Sequence, residues 1–278
     1  MTTQVTQGLL KNNRYRLSQN TSYYVSTTGN DTTGNGSFSS PWATIQKAIN
    51  YIQKNIDLCG YFVTINVAAG TYAGFCVSGP FVGENSYPIY EDVMVSIVGD
   101  TSNPSNVVIT SSTTSTVVIA RDARVAMRGF KITCTSTTNG DGHNIIVKQG
   151  GRLYLNGNMN FGNVLNYHII TVDSASFVFI TSSYTLSGGG EGHILSILGS
   201  QLIYGSNVTI TITGTPTFTW AFVAAQRLGF VNIPAGTIFS GSCTGRKFQA
   251  DLNAVIFTNG VTLPGSTAGS STYGAQVS

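Results

Sequence analysis

The three histidines of the chain fall at equal intervals of twenty-five residues: His143 in DGHNIIVKQG, His168 in NYHIITVDS and His193 in EGHILSILG. Asp141, Asn166 and Glu191 stand two places before them, and an aliphatic run follows each. If twenty-five residues make one turn of a winding chain, the histidines stack about 4.8 Å apart, with the acids and the amide in a parallel column. Asp141 and Glu191 would then lie roughly 9–10 Å apart, two strand spacings. That is the upper edge of the ~6.5–9.5 Å that inverting glycosidases keep between acid and base. Glycan hydrolysis at Asp141 and Glu191, with His143 and His193 orienting the carboxylates, is the chemistry this spacing permits. A histidine ladder holding a metal would need outward rings. Strand parity argues against both. His143 shares parity with Ile145 and Val147, His168 with Ile170 and Val172, His193 with Leu195 and Ile197. If those aliphatic residues face inward, so do the histidines, unless Gly142 or Gly192 breaks the alternation. A structural polar ladder is the expectation, and no metal or cofactor is expected.

The winding itself is written along the chain. A second run of apolar–x–apolar form recurs as VAMR (Val125), LYLN (Leu153), FVFI (Phe177), LIYG (Leu202), LGFV (Leu228) and VIFT (Val255), at steps of 28, 24, 25, 26 and 27 residues. Drifting periods of this length indicate a solenoid whose small insertions fall in its turns. Strand-like alternation points Val125/Met127, Leu153/Leu155, Phe177/Phe179, Leu202/Tyr204, Leu228/Phe230 and Val255/Phe257 inward, as two stacks. The predicted fold is all-β, a single-stranded parallel β-helix. The end of such a solenoid is an open sheet edge, and SSPWATIQKAINYIQKNI supplies a capping helix. Ser40 would cap it, Pro41 would open its first turn, and Ile45, Ala48, Ile49, Ile52 and Ile56 would form its apolar stripe.

Composition narrows the function. Only 9% of the 278 residues are charged, the net charge is +3, and Lys and Arg do not cluster, so neither nucleic-acid binding nor membrane insertion is expected. The first residues lack the apolar core of a signal peptide, so synthesis in a cytoplasm is expected. Cys59, Cys76, Cys134 and Cys243 are scattered and read as buried free thiols. Asp122, Asp173 and Asp251 read as turn acids bonded to their own backbone.

YYVSTTGNDTTGNGSFSSPWATIQKAI followed by VTINVAAGTYAG resembles the start of right-handed, pectin-lyase-like β-helices, with a Tyr-Val-x-x-x-Gly-Asn-Asp turn and a Val-x-x-Gly-x-Tyr coil. The ending GVTLPGSTAGSSTYGAQ resembles the C-terminal tails of spike proteins of bacteriophages and phage-like gene-transfer particles. The resemblance implies a right-handed β-helix in a homotrimeric spike on a virion or phage-like particle surface. Such a spike is made in the host cytoplasm and acts outside the target cell, where it binds a bacterial surface glycan. A glycan depolymerase, or a decoration that binds nothing, are the alternatives. Hydrolases of the polygalacturonase type carry an Asp-Asp pair, Gly-His-Gly and Arg-x-Lys. Here no aspartates are adjacent, GHN and GHI match half of the histidine motif, and GRK at Gly245–Lys247 lacks the spacing. No acid cluster suits the calcium site of the pectate-lyase type.

The expected organisation is an N-terminal attachment segment over 1–22, which carries Lys11, Arg14 and Arg16 and would meet a particle protein. A turn and capping helix over 23–60, the β-helix over 61–262 and a tail over 263–278 follow. The outward positions Ala126, Tyr154, Val178, Ile203, Gly229 and Ile256 form a mostly apolar stripe, which predicts a trimer interface, unless a loop such as GPFVGENSYPIYED covers it. Tyr167, Tyr184 and Trp220 are the candidate glycan-stacking residues. SGGGEG, Ser187 to Gly192, reads as the most flexible loop and the place for a groove.

Overall fold

The structure, a computed structural model, describes residues 14–85, 93–138 and 140–278. Among the described residues its strands pair in parallel, in three long sheets of ten, seven and eight strands that follow chain order, at every third strand except near the ends, and in one pair, Tyr15–Arg16 with Ile56–Asp57. One coil therefore takes one strand from each sheet. Arg152–Leu155, Met159–Phe161 and Tyr167–Val172 form one coil, and Phe177–Ile180, Tyr184–Leu186 and Gly190–Ile197 form the next. This is a parallel β-helix, as the periodicity predicts.

Register fixes what faces inward. In the first sheet Val125 pairs with Leu153, Leu153 with Val178, Val178 with Leu202, Leu202 with Val231 and Val231 with Ile256. All six are fully buried in one continuous core. The expected stacks hold for Val125/Met127, Leu153/Leu155 and Leu202/Tyr204 but not for the others. Val178 and Ile180 point inward and Phe177 and Phe179 outward, while Val231 and Ile256 are buried and Phe257 is exposed. The reason lies in the corners. Between the third and first sheets the chain turns through left-handed residues, including Arg121 and Asp122 (φ 55° and 60°), Arg227 and Leu228 (50° and 66°) and Leu252 and Asn253 (54° and 59°). Leu228 belongs to such a corner and is 66% exposed; its strand, Phe230–Asn232, begins two residues later. A corner that gains or loses one residue reverses the parity of the next run. The conformational cost of the corners is offset by hydrogen bonds from corner to corner, Leu228 N to Leu252 O (3.1 Å) and Asn253 N to Tyr273 O (3.1 Å).

Two residues of the expected trimer stripe are thus corrected: Val178 and Ile256 are core residues. Ala126 and Tyr154 do face outward but are buried within the chain, in a small cluster with Val93. Val93 directly follows 86–92, so the second half of the loop GPFVGENSYPIYED lies outside the described residues. Ile203 faces outward and is half-buried, and Gly229 lies just before its strand.

The helix spans Ile45–Asn55 and buries Ile45, Ala48, Ile49 and Ile52 against the strands Thr21–Val25, Val63–Val67 and Phe75–Ser78. Its N-cap is Thr44, not Ser40. The Thr44 hydroxyl accepts Lys47 N (3.1 Å), and the Asp31 carboxylate accepts Ala43 N (2.7 Å), Thr44 N (3.1 Å) and the Thr44 hydroxyl (2.6 Å). Phe75–Ser78 is the outermost strand of the third sheet, and helix amides serve its edge. Gln46 both accepts from Cys76 N (2.7 Å) and donates to Cys76 O (2.9 Å), and Gln53 donates to Ser78 O (3.1 Å) and Gly79 O (2.8 Å). Lys11 lies outside the described residues. Arg14 is held against the helix end through Gln53 O (2.8 Å) and Lys54 O (3.2 Å), and Arg16 forms an ion pair with Asp57 (3.9 Å). At the other end Ser270–Ser271 and Gln276–Val277 add to the third and first sheets.

The cysteines are free, but only Cys134 and Cys243 are buried; Cys59 and Cys76 are partly exposed. No helix among the described residues is long and apolar enough to cross a membrane.

Candidate functional site

His168 and His193 lie on successive strands of the third sheet and His143 just before the preceding strand, Ile145–Val147, but the three do not form one stack. Ile145 pairs with Ile169 and Ile169 with Ile194. This register sets His168 over His193, yet places His143 over Tyr167, with their rings stacked at 5.8 Å, and Asn144 over His168. Two columns result. Asn144, His168, His193 and Phe222 run inside the coil, and His143, Tyr167, Gly192 and Ala221 run beside them toward the surface. Alternation breaks here, because His168 and Ile169 are both interior, as are His193 and Ile194, while Ile170 and Leu195 face outward. Shared parity with aliphatic residues thus predicts the burial of His168 and His193 for a reason that does not hold.

The inner column is a neutral hydrogen-bonded wire. His168 Nε2 lies 2.9 Å from Gly162 O, which can only accept, so it carries the proton. Burial pulls the His168 pKa down to about 3, so the ring is neutral and Nδ1 is an acceptor. His193 Nδ1 donates to it at 3.3 Å, leaving His193 Nε2 to accept the Tyr184 hydroxyl at 2.6 Å. Tyr204 donates in turn to Tyr184 at 2.8 Å. Tyr184 and His193 are therefore interior residues, unavailable to a glycan.

His143 is also fully engaged. Its Nδ1 accepts Tyr167 N at 3.3 Å, and its ring bonds the Gly140 backbone. Burial lowers its pKa to about 4 despite the nearby Asp141 and Glu191 charges. Neither His143 nor His193 is free to orient a catalytic carboxylate.

Toward the surface, the column of Asp141, Asn166 and Glu191 does form. Asn166 Oδ1 accepts Gly140 N (3.2 Å) and Gly142 N (3.1 Å) on either side of Asp141, and Asn166 Nδ2 donates to Glu191 Oε2 (2.9 Å). Asp141 is exposed, and Ser115 donates to its carboxylate at 3.2 Å. Burial raises the Tyr167 phenol pKa above its ordinary value, and the Glu191 carboxylate, which accepts its hydroxyl, adds to the shift. A β-bulge brings in the last member. Gly190 pairs with Phe218 and Gly192 with Ala221, so Glu191 alone faces both Thr219 and Trp220. Trp220 is half-buried and meets Tyr167 edge-on, ring centres 6.1 Å apart. A Cβ on Gly192 would come within 2.6 Å of the Tyr167 ring, so glycine at this position is what lets that ring lie across the neighbouring coil.

The run SGGGEG is not a flexible loop. A Cβ on Gly188 would meet Asn163 N at 2.1 Å, and the run leads directly into the strand Gly190–Ile197. Its glycines serve close approach between coils. Asp173 and Asp251 bond to neighbouring coils rather than to themselves, Asp173 accepting Gln149 N (3.0 Å) and Asp251 accepting Gln226 Nε2 (2.9 Å). Among the described residues no three of His, Cys, Asp and Glu gather as a metal site would require. Of the sequence candidates, Glu191 and Trp220 meet at the surface over the buried Tyr167 ring, Asp141 stands exposed in the same column as Glu191, and His143 stacks on Tyr167 from below. The contribution of Asn166 was legible in its place in the column; the bulge that delivers Trp220 was not.

No family model matches the chain, and no curated protein is similar to it in sequence. Among solved structures, the deglycosylated pectin methylesterase of Aspergillus niger superposes with a TM-score of 0.38 at 14% identity, over 91% of this chain and 85% of that one. At that score none of the esterase's chemistry transfers to this chain.

Proposed function

We propose that this chain is the β-helical spike of a phage or phage-like particle and that it recognises a bacterial surface polysaccharide. The observation that carries the recognition is half-buried Trp220, set edge-on against the buried Tyr167 ring beside Glu191. Half-buried Trp220 offers an aromatic ring for the apolar face of a sugar, and the Glu191 carboxylate offers an acceptor for its hydroxyls. The spike role is supported by the resemblance of GVTLPGSTAGSSTYGAQ to spike tails, with residues 1–22 as the segment that meets a particle protein.

A homotrimer is part of this reading. The outer face of the third sheet is apolar (Ile146, Ile170, Val172, Leu195 and Ile197), and Ile203 and Phe257 add apolar surface on the first sheet. The second sheet instead aligns Lys131, Asn160, Thr185, Thr211 and Ser240 outward. Two different apolar faces beside one polar face suit a cyclic assembly in which unlike patches meet. A monomer by light scattering at micromolar concentration contradicts this part of the proposal.

Cleavage is the second reading, favoured only by the two carboxylates that flank Asn166. Both are put to the same test, incubation of the purified protein with capsular polysaccharide. Retention without loss of viscosity, abolished by Trp220→Ala, is the expected result. Loss of viscosity, abolished by Asp141→Asn or Glu191→Gln, would make the chain a depolymerase. No retention at all would leave a structural decoration.

A further inference from the structure

We infer a second sugar site at the opposite end of the chain, a groove of about 600 Å³ between the turn 26–41 and the outer face of the first three strands of the first sheet. This volume falls within the ~300–1,000 Å³ of small-molecule sites. The groove is walled by Tyr24, Phe38 and Val98, with Ser26, Thr28 and Asn66 as its polar members, and no charged side chain lines it. Phe38 is 81% exposed and stands edge-on to Tyr24, ring centres 5.4 Å apart and planes at 83°.

The turn that holds Phe38 is rigid. Asn30 Oδ1 accepts Thr32 N (2.8 Å) and Thr33 N (2.9 Å), Asp31 fixes the helix start, and the Trp42 indole donates to Gly34 O (3.0 Å). Gly36 lies flat on the Trp42 ring, where a Cβ would come within 2.5 Å. An aromatic ring held in water by so ordered a turn gains nothing for the fold, since Ser37, Ser39 and Ser40 beside it show that the turn accepts small polar residues. Two perpendicular rings with hydroxyls and an amide around them, and no charge, match a neutral pyranoside. Its C–H face would stack on Phe38 with its rim against Tyr24, and its hydroxyls would meet the Ser26–Thr28 pair (3.0 Å apart) and Asn66. A charged sugar would find no counter-ion in the lining.

This site does not depend on the Trp220 patch, and the experiment separates them. Saturation-transfer NMR is run on Trp220→Ala with methyl glucopyranoside, methyl galactopyranoside and N-acetylglucosamine, and with galacturonate as the charged comparator. The expected result is transfer to the ring protons of at least one neutral sugar, stronger than to galacturonate. Adding Phe38→Ala should reduce that transfer at least fivefold, and the exposed position makes misfolding no explanation. No transfer in Trp220→Ala overturns the proposal, as does transfer that survives in the double variant. A Phe38→Ala change that alters molar mass by light scattering and leaves sugar signals intact would assign the groove to a second copy of the chain instead.

Discussion

His193 Nδ1 lies 3.3 Å from His168 Nδ1 inside the β-helix, and the Gly162 carbonyl at the far side of His168 sets the direction of every proton in the wire back to Tyr204. The arrangement predicts opposite tautomers in adjacent coils, Nε2–H at His168 and Nδ1–H at His193. Long-range ¹H–¹⁵N spectra at pH 7 will show one of each. Two identical tautomers, or an imidazolium, would break the wire as described.

Acid should unfold the protein through its histidines. The pKa of His168 is about 3 and that of His143 about 4, below the ordinary 6.5 of the unfolded chain. The unfolded state thus binds more protons below pH 6.5, and stability falls as pH drops from 6.5 toward those values. The loss is on the order of 3 kcal/mol for each ring by pH 4. Urea midpoints at pH 7 and pH 4.5 measure it; an unchanged midpoint would contradict the buried, neutral state.

Tyr184→Phe removes the donor to His193 Nε2 and should cost about 1–3 kcal/mol, the price of a buried unsatisfied acceptor. Retention on polysaccharide should be unaltered, because Tyr184 is a core residue. Weaker retention at full stability would return Tyr184 to the binding surface.

Gly192→Ala should displace the Tyr167 ring and lose retention on polysaccharide together with roughly 1–3 kcal/mol of stability, as overpacking does. A variant with wild-type retention and thermal midpoint would show that the ring does not lie where described.

The corrected parity makes a paired prediction. Val178→Asp buries a lone charge and should prevent folding, whereas Ile197→Asp, on the outer face, should fold and lower the molar mass of the assembly. Circular dichroism and light scattering read the two effects. A folded Val178→Asp protein would restore the inward assignment of Phe177 and Phe179.

These cases show what the sequence carries and what it does not. The coil was legible because inward residues of successive turns, such as Leu153 over Val125, must resemble one another in size and polarity. Parity at Phe177, Leu228 and Val255 was not, since a left-handed corner adds a residue without leaving a mark in the apolar pattern. The histidine spacing was regular, yet the register slides by one residue between His143 and His168, which sends the first ring to a different column. The site was half legible. Asp141, Asn166 and Glu191 align because coils align, but Trp220 reaches them only through a bulge. The glycines at 188–192 read as freedom when their role is contact.

A bacterial glycan array probed with the wild-type protein and with Trp220→Ala tests the central claim most directly. The account predicts selective binding of one class of surface oligosaccharide, at least tenfold weaker in the variant. Equal binding by both proteins, or none by the wild type, would contradict it.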